Sequence, residues 1–240
     1  MNIIITGASK GIGFAIAGVF AMQHEKHAIG ICSRKEDQLA KAETELRAIS
    51  HHHEYFSKVC DVSQENEVHS FVADYQQKFG AIDVLVNNAG FGIFKPVTEI
   101  TKGEFESVLG TNLRGVFLMT RAALPAMRQK KSGTVITISS LAGKNGFKGG
   151  TAYCASKFAL RGMMQCLFLE VRADNIRFVT ICPGSVETEF FTSDNHGSEI
   201  KSKKALMAED VAACVELAVR LPRNADISEI DIRPTNPKGQ

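Results

Sequence analysis

Ser140, Tyr153 and Lys157 are side chains able to handle a proton, and the last two stand four residues apart. On a helix that spacing stacks them on one face, one turn above the other. A free phenol has a pKa of about 10, so it is a poor proton donor or acceptor near neutrality. Lowering it by roughly three units takes about 4 kcal/mol of differential stabilisation. One cation about 4 Å away, at an effective dielectric of about 20, supplies an energy of that size. The spacing therefore predicts a tyrosine whose pKa is lowered by its lysine neighbour. Taken singly, Ser140 also reads as a strand-end cap and Tyr153 as a partly buried aromatic. The combination carries the chemistry.

The elements that must position this group follow from the hydrophobic pattern. Asn2–Thr6, His27–Ser33, Glu54–Val59, Ala81–Asn87, Thr134–Ser139, Ile176–Cys182 and Ile227–Ile232 read as strands. Helical patterns cover Gly11–His24, Lys35–Ser50, and about 64–79, 101–130, 151–173 and 208–221. Thr101 with Glu104 three residues on predicts a capping box at the start of one of them. Short apolar strands alternating with helices imply an α/β fold, a doubly wound, seven-stranded parallel sheet with helices on both faces. No repeat and no Pro/Gly/Ser-rich linker divides residues 1–240, so one domain is expected.

Between the first strand and the first helix runs Thr6-Gly7-Ala8-Ser9-Lys10-Gly11-Ile12-Gly13. That context is the one a Rossmann dinucleotide site requires. Gly7 suits a tight turn, Gly11 a close approach of pyrophosphate, and Gly13 close packing of helix on sheet. The helix N-terminus offers unpaired N–H groups and the positive end of its dipole to the phosphates. At the end of the second strand, Ser33 stands where a carboxylate would bind the ribose hydroxyls, and Arg34 follows. A guanidinium fork suits a 2′-phosphate, and Lys10 brings a second cation, so NADP(H) is expected over NAD(H).

With these residues in hand, the chain resembles the short-chain dehydrogenase/reductase family over nearly its whole length. The Thr6–Gly13 turn resembles that family's Thr-Gly-x3-Gly-x-Gly element, and Asp61-Val62 its adenine-contacting pair. Asn87-Asn88-Ala89-Gly90 resembles its Asn-Asn-Ala-Gly signature, and Pro183-Gly184 with Val186 and Thr188 the segment that holds the nicotinamide amide. Asn112, Ser140, Tyr153 and Lys157 match its catalytic tetrad. The resemblance implies that Tyr153 is general acid or base and that Ser140 orients the carbonyl oxygen. It also implies that Lys157 lowers the Tyr153 pKa and binds the nicotinamide ribose. Asn112, near Gly110 and Gly115, would hold a water linking Lys157 to solvent. The implied reaction is hydride transfer between NADP(H) and a small carbonyl compound or secondary alcohol. A homo-oligomer built through the helices at 101–130 and 151–173 is also implied, with Phe117, Leu118, Met163, Met164, Leu167 and Phe168 as apolar contacts.

The substrate pocket is expected at the carboxyl ends of the strands. Candidates are Phe91, Ile93, Phe94, Leu141, Phe147, Phe190 and Phe191, an apolar wall with no cation for a carboxylate. A short lid is expected at about 188–207, where Thr192–Lys204 is polar around Gly197. Many bacterial members of the family reduce 3-oxoacyl groups on acyl-carrier protein. Here the chain closes Ile232-Arg233-Pro234-Thr235-Asn236-Pro237 instead of on a Gly-Gly segment, and Asp174 stands where a basic docking residue is usual. A carbonyl reductase or alcohol dehydrogenase therefore comes first and the acyl-carrier reductase second. A nicotinamide-binding sensor with little turnover is the reading from another class.

Composition narrows the field further. A net charge of +2 without a basic block argues against a nucleic-acid partner. The apolar run Ile3-Ile4-Ile5 is too short for a signal sequence or a membrane span, so a soluble, cytoplasmic protein is expected. The six cysteines are scattered without metal-ligand spacing and read as packing residues. His51-His52-His53 reads as a solvated loop rather than a metal site. No metal is expected.

Overall fold

The computed structural model describes residues 1–188 and 205–236. The strands are β1 (Asn2–Thr6), β2 (Ala28–Ser33), β3 (Glu54–Val59), β4 (Val84–Asn87), β5 (Gly133–Ile138), β6 (Ile176–Pro183) and β7 (Glu229–Ile232). They form one seven-stranded sheet in the order β3-β2-β1-β4-β5-β6-β7, every pair parallel. The strand order reverses between β1 and β4, which leaves a crevice at their carboxyl ends where ligands of open α/β sheets bind.

Alternation along β1 sorts the two faces. Ile3 and Ile5 pack with Ile16 and Phe20 of α1 (Gly11–Ala21), Leu46 of α2 (Glu36–Ile49) and Val215 of α7 (Ala208–Arg220). Ile4 points the other way, to Tyr75 of α3 (Glu65–Phe79), Met119 of α5 (Gly115–Lys130) and Leu160 of α6 (Thr151–Val171). A period-two strand between two layers of helices must be apolar on both sides, and β1 is.

The single helix expected at 101–130 is instead two. α4 (Lys102–Leu109) opens with the predicted capping box, Thr101 Oγ1 accepting from Glu104 N–H and Glu104 accepting from Thr101 N–H. A π-turn at Gly110–Arg114 then separates it from α5. Such an insertion widens the helix by one residue, and here it holds Asn112. β4 also starts later than expected, at Val84, and just before it the Asp83 carboxylate accepts the Asn2 N–H at 2.7 Å. Of the three histidines read as solvated, His51 and His52 are exposed. His53 is buried at 4%, accepting the His27 N–H through Nδ1 and stacking on the His27 ring at 5.3 Å.

Among the described residues no helix is long and apolar enough to cross a membrane.

Candidate active site

The turn between β1 and α1 takes the shape its glycines allow. Gly7 (φ 65°) and Gly11 (φ 58°) occupy the left-handed region. A Cβ on Gly13 would lie 2.5 Å from both the Gly7 carbonyl and Asn88 Nδ2, so the helix presses directly on the turn. Asn88 ties β4 to the same place, donating from Nδ2 to the carbonyls of Thr6 (3.0 Å) and Gly7 (3.1 Å). Thr6 Oγ1 accepts the main-chain N–H groups of Asn88 and Ala89. The N-cap residue Lys10 gives α1 no side-chain cap and no acid occupies the helix's first turn, so the positive end of its dipole is turned to the crevice. Ser9 is half-buried there, Lys10 exposed, and Ile12 packs toward the core. Across the crevice, Thr188 lies 3.5 Å from where a Gly11 Cβ would stand. A dinucleotide fits this cradle because a side chain at Gly7, Gly11 or Gly13 would be strained or would collide.

Ser140 closes β5 and opens a single 3-10 turn, Leu141–Gly143. Its Oγ accepts the Ala142 N–H at 3.1 Å and donates to the Pro183 carbonyl at 3.4 Å, so the residue is a strand-end cap as well. It is also hydrogen-bonded to the Tyr153 hydroxyl. Lys157, one turn along α6, is 5% exposed and donates to the Ile138 carbonyl at 2.8 Å, with Nζ 5.7 Å from the Tyr153 ring centre. Asn112 is fully buried. Its Oδ1 accepts the Phe91 N–H, and its Nδ2 donates to the Phe91 carbonyl and to Ser156 Oγ. Gly90 lets Asn112 and Lys157 meet, since a Cβ there would stand 3.1 Å from Asn112 Oδ1 and 3.7 Å from Lys157 Nζ.

The electrostatics depart from the expectation that Lys157 lowers the Tyr153 pKa. Burial pushes the Tyr153 phenol up to about 12, and the Ser140 hydrogen bond offsets only part of this. Burial likewise pushes Lys157 down to about 8. The ammonium is drawn to the Ile138 carbonyl, and desolvation of the phenolate dominates.

At the far end of the crevice, Ser33 Oγ donates to the Lys35 carbonyl, and the exposed Arg34 lies 5.7 Å over the Phe91 ring. Asp61 caps its own turn by accepting the Ser63 N–H. Val62 is buried beneath Gly115, so its side chain and carbonyl both support α5. An open groove of about 1090 Å³ begins at Arg34, Asp61 and Phe91 and runs past Arg114, Phe117 and Met163, away from Ser140 and Tyr153. The catalytic candidates lie outside it.

The apolar candidates divide. Phe94 meets the Tyr153 ring edge-on at 5.6 Å and Phe147 at 5.7 Å, while Ile93 is half-buried on the Phe94 loop. Leu141 packs near Gly184, whose N–H donates to the Ile232 carbonyl, beside Pro183 at the end of β6. Val186 is buried and pairs with Leu206. Phe91, by contrast, sits with Arg34, drawn there because a ring face attracts a guanidinium. Phe190, Phe191 and most of the expected lid lie outside the described residues.

Fold and site together define an oxidoreductase built on a dinucleotide-binding sheet. Within that class, the chain belongs to the short chain dehydrogenase family, whose family model matches residues 1–199. It is 34% identical over 241 residues to a sepiapterin reductase from Chlorobaculum tepidum, with 98% of this chain and 96% of that protein covered. An alcohol dehydrogenase from the archaeon Thermococcus sibiricus, complexed with 5-hydroxy-NADP, superposes with a TM-score of 0.89 at 30% identity, covering 100% of this chain and 98% of that one. A 3-ketoacyl-ACP reductase from Sinorhizobium meliloti superposes with a TM-score of 0.87 at 29% identity, covering 99% of each chain.

Proposed function

We propose that the protein is an NADP(H)-dependent reductase of small, uncharged carbonyl compounds, able to run in reverse on secondary alcohols. The observation that carries this reading is the hydrogen-bonded Ser140–Tyr153 pair, set on the same helix face as a buried lysine. The Gly7–Gly13 cradle, Asn88–Gly90 and the Pro183–Thr188 segment would hold the dinucleotide, with Arg34 and Lys10 toward its 2′-phosphate. Bound there, the nicotinamide supplies the hydride.

The chain's own residues supply position and protons. Ser140 donates to the carbonyl oxygen as negative charge gathers on it. Tyr153, protonated at neutral pH, delivers the proton to that oxygen. Lys157 holds a positive charge beside the phenol as the proton leaves. Bonded to both the N–H and the carbonyl of Phe91 and to Ser156, the Asn112 side chain positions that loop. Phe94 and Phe147 wall the substrate side, and the nearby Lys95 is paired with Glu104 at 2.5 Å.

NADPH oxidation with a panel of aldehydes, ketones and an acyl-carrier thioester tests the reading. Tyr153→Phe is expected to leave NADPH affinity nearly intact and to lower turnover at least about a hundredfold. Retained turnover in that variant would contradict the assignment. Preference for the thioester would favour the acyl-carrier reading, which the Sinorhizobium meliloti neighbour supports. Absence of turnover throughout the panel would leave the sensor reading.

A further inference from the structure

The turn that carries Ser140 is held by a charge cluster with no part in the chemistry above. Immediately after that turn, Lys144 donates to Glu229 Oε1 at 2.5 Å and to Asp231. Glu229 and Asp231 alternate along the edge strand β7, so both carboxylates project to the same side. Arg161 approaches Glu229 from α6, its Nε 2.7 Å from Oε2 and its Nη2 3.4 Å from Oε1. Its remaining Nη1 donates to the Gly143 carbonyl at 3.3 Å, the last residue of the Ser140 turn. On α6, Tyr153, Lys157 and Arg161 follow at successive turns of one face.

Gly143 completes the arrangement, because a Cβ there would lie 2.7 Å from the Lys157 carbonyl. The Ser140 turn therefore rests directly on the backbone of the Tyr153–Lys157 helix. The cluster is three-quarters covered, with side-chain exposures of 21% for Lys144 and 28% each for Glu229 and Arg161. A carboxylate shared between an ammonium and a two-pronged guanidinium contact is geometrically specific in a way that a loose surface pair is not.

We propose that Glu229 is a positioning residue: by gripping Lys144 and Arg161 at once, it clamps the Ser140 turn onto α6 and holds the Ser140–Tyr153 hydrogen bond. The inference rests on the catalytic reading given above. Its readout follows from the chemistry of that bond. Ser140 favours the phenolate while burial and Cys154 oppose it, so a loosened turn raises the Tyr153 pKa further.

The test uses the full chain with NADPH and the best substrate of the panel, with Ser140→Ala as reference. Glu229→Gln is expected to lower kcat about tenfold, as a small misplacement of a catalytic group does. It should leave the KM for NADPH unchanged and move the alkaline limb of carbonyl reduction to higher pH. Glu229→Asp, which keeps the charge, should recover part of kcat. If Glu229→Gln fails to fold, Lys144→Gln cuts one arm of the clamp and is read the same way. A drop in melting temperature with kcat and the alkaline limb unmoved would overturn the proposal, as would a change in NADPH KM alone. Should Ser140→Ala itself keep full turnover, the catalytic reading fails instead, and the two failures are told apart.

Discussion

At neutral pH a phenol pushed up to about 12 keeps its proton, so Tyr153 holds the proton that carbonyl reduction needs. That matches carbonyl reduction, in which oxygen gains charge and needs a donor. At the other end of the crevice, we propose that cofactor choice turns on Arg34, whose guanidinium lies over Phe91 with no carboxylate at Ser33 to repel a phosphate. A charge-assisted hydrogen bond contributes about 1.5–3 kcal/mol, so Arg34→Ser is expected to cut the NADPH-over-NADH ratio of kcat/KM by roughly ten- to a hundredfold. Steady-state kinetics with both nucleotides check this, and an unchanged ratio would remove Arg34 from the cofactor site. Arg34 was legible from its place after β2. Its contact with Phe91, 57 positions away by numbering, was not.

Between elements, the histidine pair that joins β2 to the start of β3 makes stability depend on pH. Burial first, then the Met1 ammonium and His53, push His27 down to about 4, and burial also lowers His53. His27 Nε2 lies 2.9 Å from Gln23 Oε1, with Glu25 the nearby group favouring its charged form. A folded-state pKa below the unfolded value of about 6.5 means the unfolded chain binds more protons. The stabilisation is therefore complete above pH 6.5 and is lost as pH falls toward 4, by about 2–3 kcal/mol for His27. Thermal melts between pH 7.5 and 5 should show the loss, and His27→Leu should flatten it. A variant melting with the wild-type slope would place the sensitivity elsewhere. The helical pattern at 101–130 concealed the π-turn for a related reason. Apolar periodicity reports which face is buried, and one inserted residue between Gly110 and Gly115 barely disturbs that signal.

Over the whole molecule, the apolar surface bears on assembly. Leu118 and Met164, expected at a subunit contact, are buried in the protein's own core, whereas Phe117 (43% exposed), Phe158 (45%) and Leu169 (65%) face outward from α5 and α6. For these exposed apolar side chains we propose a second copy of the chain as the partner. Phe117→Glu combined with Phe158→Glu is expected to give a folded monomer in sedimentation velocity. A wild-type sedimentation coefficient for the double variant would show that assembly, if any, uses another face. By itself the sequence determined the strands, most helix bounds, the glycine turn and the Ser-Tyr-Lys spacing. Each of these is written in local period, turn chemistry or short separation. Only the tertiary structure decided that Lys157 binds Ile138, that burial sets the Tyr153 pKa, that His53 is buried, and that β7 reaches across to grip the Ser140 turn. Those outcomes depend on which distant segments the sheet order brings together and how much water is left between them, and neither quantity has a local signature in the chain.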